Sequence, residues 1–263
     1  MKKIIKRSID LLLFFIIFIF ISLYFKTKIN KNTILNYMLS TYHKDYNSYN
    51  LNDMSNINLY KYNKIDKIIE TIKEEKPYIY IFNTHYEEKY SDTDVIEMSK
   101  LLNEKLNKKG ITSIFEDINY KEYRIINNLT GINNYVMVRP IIKKVIEENN
   151  ISLVIDLHRD SIKKEESTIK INNKECAKVL FVVDNSYSDY KVKYELAKKL
   201  NNYLNKYKGL SRGIYVKNGK GFNQDLSKNM ILLELGGYKN NKNELINTID
   251  IIVEMIGEYI NER

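Results

Sequence analysis

Histidine is scarce in this chain, and two of its three copies stand where an apolar run stops: His85 after YIYIFNT and His158 after LVIDL. A third apolar run, MILLEL, carries Glu234 inside it and ends in Gly236-Gly237. Two imidazoles and a carboxylate around an open fourth position make a catalytic zinc site, in which bound water becomes a usable nucleophile near neutral pH. A further carboxylate off the metal must then carry a proton to the leaving group. Glu234 suits that task, since a carboxylate inside an apolar strand is costly unless something charged meets it, and the glycines that follow let backbone approach a ligand closely. The plainer reading of the same residues is two hydrogen-bonded structural histidines and a glutamate held in a salt bridge.

The elements that would bring these groups together are legible as alternating strands and helices. The run LVIDLHRDS has no polar alternation in its first half, as expected of a strand buried on both faces. In open parallel sheets ligands bind outside the carboxyl ends of the strands, which is where Asp156, His158, Arg159 and Asp160 fall. Asp156 shares a strand face with His158 and either orients the imidazole or pairs with Arg159. The patterns predict strands at 78–82, 111–115, 152–158, 213–216 and 230–235. Helices are expected at 93–109 (stopping at Gly110), 140–149, 188–207 and 242–260. A hairpin of 168–171 with 178–183 would turn at Asn172-Asn173, and the stretch around Asn127 and Gly131 reads as irregular. The expected fold class is α/β, a three-layer αβα sandwich with a mostly parallel twisted sheet.

Among 263 residues, 42 are basic and 33 acidic, giving a formal charge of +9 that favours anionic partners. No basic cluster interleaved with aromatics marks a nucleic-acid track, and none is expected as partner. The single cysteine, Cys176, excludes an intrachain disulfide and a Cys-His metal site, and reads as a semi-buried filler. Lys2, Lys3, Lys6 and Arg7 precede LLLFFIIFIFISLYF at 11–25, followed by no small-residue cleavage site. With flanking lysines able to snorkel, the run reaches roughly the 17-residue lower limit of a spanning helix, and its basic leading side places the body outside the cell. The division expected is a cytoplasmic tip and single transmembrane anchor at 1–26, a tether with short helices at 27–76, and a catalytic body at 77–263.

Taken together, THYEE, VIDLHRDS and FNQDLSKNMILLELGG resemble the stage II sporulation protein P family of zinc-dependent N-acetylmuramoyl-L-alanine amidases, over roughly residues 78–240. The resemblance implies a zinc-amidase fold, Zn2+ bound by His85, Glu88 and His158, and Glu234 as catalytic base. Glu87 and Glu97 are the alternative carboxylate ligands. Arg159, Asp160, Arg212, Asn223 and Gln224 recur in the motifs and are expected to grip substrate or support the site, although Asn223 and Asp225 equally suit a turn. Also implied are peptidoglycan as substrate, a role in engulfment and septal wall degradation, and partnership with a stage II sporulation protein D-like transglycosylase and a membrane protein of the same complex. The rivals are a zinc endopeptidase or carboxypeptidase on stem peptides, and a wall-binding scaffold without catalysis.

Overall fold

The computed structural model describes residues 78–219 and 221–262. The expected anchor and tether lie outside these residues; among the described ones, no helix is long and apolar enough to cross a membrane. The strands are β1 (Tyr78–Phe82), β2 (Ser113–Phe115), β3 (Ile151–Asp160), β4 (Thr168–Ile171), β5 (Lys174–Ala177), β6 (Val179–Asp184), β7 (Ser211–Lys217) and β8 (Met230–Gly237). Six of them form one sheet in the order β2-β1-β3-β8-β6-β7, and only the β8–β6 contact is antiparallel. The three strands that end in chemistry-bearing residues are therefore neighbours.

Helices α1 (Val95–Lys108), α2 (Tyr120–Ile126), α3 (Asn134–Glu148), α4 (Lys164–Ser167), α5 (Tyr190–Leu204) and α6 (Lys242–Asn261) alternate with the strands. Strand side chains point alternately to opposite faces, and the core divides accordingly. Ile79, Ile81, Leu153, Ile155 and Leu233 pack with Leu102 of α1, Leu200 of α5 and Ile252 of α6 on one face. Tyr80, Phe82 and Val154 pack with Tyr123 of α2 and Met137, Ile141 and Val145 of α3 on the other. Asp156 and His158 continue the Val154 line, so the polar end of β3 emerges on the α2–α3 face. Leu102 is fully buried, and truncating it to alanine would cost about 2–5 kcal/mol in lost contacts and cavity.

Local signals explain the boundaries. Asp94 caps α1 by accepting from the Glu97 N–H, and the chain leaves that helix through Gly110 at φ +79. Asn241 and Glu244 close a reciprocal capping box on α6. Two expectations need correction. The hairpin does turn at Asn172 and Asn173, both at positive φ, but its second arm is β5, while residues 179–184 enter the main sheet beside β8. Helix α3 also begins six residues before Pro140, which sits inside it, and the stretch before Asn127 is helical as α2.

Candidate functional site

The site is built at the carboxyl ends of β1, β3 and β8. After β1, a turn closed by the Glu88 N–H on the His85 carbonyl (3.0 Å) folds Glu88 back against His85. Their facing atoms, His85 Nδ1 and Glu88 Oε1, are 3.4 Å apart. This turn is fastened to β3. The Thr84 N–H and hydroxyl donate to the two Asp156 carboxylate oxygens at 2.9 and 2.8 Å, and Asn83 Nδ2 donates to the Leu157 carbonyl at 2.6 Å. His158 arrives on β3 with Nδ1 3.7 Å from Glu88 Oε2, while its Nε2 rests 2.9 Å from Asp156 Oδ1. One ligand atom from each of His85, Glu88 and His158 lies within 4.8 Å of the others. Neither Glu87 nor Glu97 joins them: Glu87 is exposed, and Glu97 is held by Thr93 and Lys242.

On β8, Glu234 is the Cα partner of His158. One of its carboxylate oxygens is buried with no hydrogen-bond partner among the described residues. Burial, reinforced by the Glu88, Asp160 and Asp156 carboxylates, raises its pKa to about 7 despite the opposing pull of His158. For His158 burial disfavours charge, but Asp156, Glu234 and Glu88 outweigh it and raise the imidazole to about 9. Glu88 is pushed up by burial, yet the contacts with His85 and His158 and the Arg159 N–H (2.9 Å) hold it below the usual carboxylate range.

Two imidazoles and one carboxylate converging on one point, with an unpartnered carboxylate oxygen beside them, fit a divalent ion of zinc type that keeps an open coordination position. Asp156, 2.9 Å from the His158 ring, stands where a carboxylate could orient a ligand histidine. Its contact is with His158, not Arg159.

The other candidates divide. Arg159 lies beside the cluster through its backbone, and its side-chain Nε is buried without a hydrogen-bond partner among the described residues. Asp160 bonds Arg212 at 2.6 Å, so this ion pair lines the rim next to Glu234. Asn223 is buried in a left-handed conformation at φ +52. Its Nδ2 donates to the Tyr135 carbonyl at 2.8 Å, and its Oδ1 accepts from Arg139. Gln224 instead ties down the far end of β6, bonding the Val182 carbonyl and the Asp184 N–H. Gly236 and Gly237 are approached by the protein itself, through Asn240 and the Ile162 carbonyl, rather than left open to a ligand.

Sequence reasoning missed Tyr135. From the first turn of α3 its ring meets His85 at 5.2 Å, lies nearly parallel to His158 at 6.3 Å, and touches Phe222 at 5.4 Å. Thr84 was missed as well. Its signals were its place between an apolar strand and a histidine and its position at the head of THYEE.

The fold and site thus define an α/β protein with a His-Glu-His cluster and a buried carboxylate at the rim of a mostly parallel sheet. The family model for Stage II sporulation protein P (SpoIIP) matches residues 23–257, and the chain belongs to that family. Stage II sporulation protein P of Bacillus subtilis (strain 168) is 30% identical over 208 residues, which are 70% of this chain and 51% of that protein. The chain therefore spans about half the length of the curated relative it matches. Among solved structures, the CwlD amidase from Clostridioides difficile in complex with the GerS lipoprotein matches over 70% of this chain and 99% of its own, at 14% identity and a TM-score of 0.48. The N-acetylmuramoyl-L-alanine amidase AmiC2 of Nostoc punctiforme matches over 71% and 98%, at 11% identity and a TM-score of 0.40.

Proposed function

We propose that this protein is a zinc-dependent peptidoglycan hydrolase acting in sporulation, and that it cleaves the amide between the muramic acid lactyl group and the first L-alanine of the stem peptide. The observation that carries the reading is the convergence of His85, Glu88 and His158 with Glu234 directly across the strand pair. His85, Glu88 and His158 would hold zinc, which would supply Lewis acidity to a carbonyl and to water. Glu234 holds and moves the proton: near neutral pH its carboxyl is poised between accepting one from water and returning it to the departing amine. Asp156, itself fixed by Thr84, keeps the His158 ring oriented. Tyr135 screens both imidazoles from solvent on the α3 side.

The choice of bond rests on the motif resemblance, and family membership supports the sporulation role. The same reading carries an N-terminal membrane anchor with the catalytic body outside the cell, and a partnership with a stage II sporulation protein D-like transglycosylase and a membrane protein of the same complex. The test is to incubate purified protein with sacculi, with and without chelator, and to weigh the products. Release of intact stem peptides with a free L-alanine amine, abolished by chelator and by Glu234→Gln, is the expected result. Fragments cut within the stem and none cut from muramic acid would make it an endopeptidase instead.

A further inference from the structure

The face of the sheet that carries His158 and Glu234 is covered unevenly. Helices α2 and α3 pack over β1 and β3, and α5 packs against β6 and β7 from the other face. Along β8, β6 and β7 the site face continues from Glu234 to its Cα partner Leu180, and on the next row from Leu232 to Val182 and Tyr215. Leu180 belongs to an interior strand, yet it is only partly buried, whereas its neighbours Val179 and Phe181 on the opposite face are fully buried. A Cβ placed on Gly213 would meet nothing within 4 Å, and Tyr215 is 55% exposed. This strip is an apolar floor that begins at the carboxylate beside the Arg212–Asp160 ion pair, is buried at Val182 and opens at Tyr215 on the edge strand. An aromatic wall bounds it: Tyr135 touches Phe222, and Lys217 Nζ lies 4.6 Å over the Phe222 ring.

We propose that this floor is the subsite for the peptide arm of the substrate, with Tyr215 as its packing platform. The inference rests on the reading of the site as a stem-peptide hydrolase and goes beyond it by saying where one of the two arms leaves the scissile bond. Two features favour peptide over glycan. Lys217 shares the Tyr215 face at a spacing of two and offers a cation to the carboxylates of a stem. The floor also starts at Glu234, where a departing amine would collect its proton, so the amine-bearing product lies on the side where it is formed.

The test is a titration that needs no turnover. Full-length Glu234→Gln protein in detergent is titrated by calorimetry with a synthetic stem tetrapeptide carrying its free carboxylates, and separately with peptide-free glycan chains. Tyr215→Ala in that background is expected to weaken the tetrapeptide by about tenfold and to leave the glycan within about twofold, as loss of one exposed aromatic contact would. Lys217→Gln should weaken the tetrapeptide and flatten its salt dependence. Val192→Ser, a half-exposed position on α5, should change neither. A tetrapeptide affinity unmoved by Tyr215→Ala, a loss falling on the glycan instead, or no tetrapeptide binding would overturn the assignment. Failure of the wild-type chain to cut sacculi would count against the proposed function and leave this titration readable.

Discussion

His158 and Glu234 are direct Cα partners across β3 and β8, on the same face of the sheet. The Asp156, Glu234 and Glu88 carboxylates raise the buried imidazole to about 9, and burial raises the carboxylate beside it to about 7. A metal ion held by His158 would have to displace that proton.

Zinc affinity should consequently rise with pH between 6 and 9, by up to about tenfold per pH unit while one proton is released on binding. Competition with a chromophoric chelator at pH 6, 7 and 8 measures it. A flat affinity over that interval would mean that the His158 ring is neutral and the proposed displacement wrong.

The same two groups predict how stability responds. Glu234 is raised from its ordinary value of 4.5, so its favourable contribution is complete below that pH and is lost as pH rises through about 7. His158 contributes fully below 6.5, and this is lost as pH rises through about 9. A tenfold change in a group's proton affinity on folding is worth about 1.4 kcal/mol. In chelator, Glu234→Gln should therefore gain on wild type as pH climbs from 5 to 8, and thermal unfolding of the two proteins side by side reads the difference. A constant difference would place Glu234 in a more solvated setting than its burial implies.

Removing the proton carrier should be felt in chemistry and not in metal loading. Glu234→Gln is expected to lower the rate of peptide release by roughly 10²–10⁴. Zinc stoichiometry, measured by elemental analysis, should stay at that of wild type. Retention of full activity would exclude Glu234 from the proton path.

Asp156→Asn keeps the shape of the clamp on Thr84 but removes the charge facing His158. Zinc affinity should fall by about 10–100-fold, the usual effect of losing an outer partner of a metal-bound histidine. Unchanged affinity would reduce Asp156 to a fastening between β1 and β3.

Asn223 offers a way to separate backbone conformation from hydrogen bonding. Asn223→Ala loses the bonds to Tyr135 and Arg139 and forces a side chain into positive φ, with an expected cost of about 1–3 kcal/mol for the bonds alone. Asn223→Gly loses the same bonds without the conformational penalty and should recover part of that stability in urea unfolding. Equal losses would show that the bonds carry the whole effect.

Strands β1, β3 and β8 are legible in the sequence because each is an apolar run broken abruptly by ionisable groups. That pattern has few explanations besides a buried strand ending at a rim. The hairpin is misread because 178–183 is the more apolar partner for 168–171, and for that reason burial on both faces claims it for the main sheet. Lys174 and Glu175 are exposed, and their polarity hides a strand that has only one packed face. Helix α2 leaves a short signal, Asn119 followed three residues on by Glu122, which the structure uses as a cap. Pro140 suggests a helix start, yet α3 carries it internally. Tyr135 cannot be found by type or spacing, because a tyrosine in the first turn of a helix looks the same whether it meets a core or a pair of histidines.

The last strand, β8, occupies the middle of the sheet, between β3 and β6. A growing polypeptide that has left the ribosome only as far as residue 229 has His85, Glu88 and His158 but no Glu234, and its sheet is still in two pieces. Since synthesis delivers the amino-terminal part first, the rim lacks its fourth group until β8 has been made and has joined the two halves of the sheet.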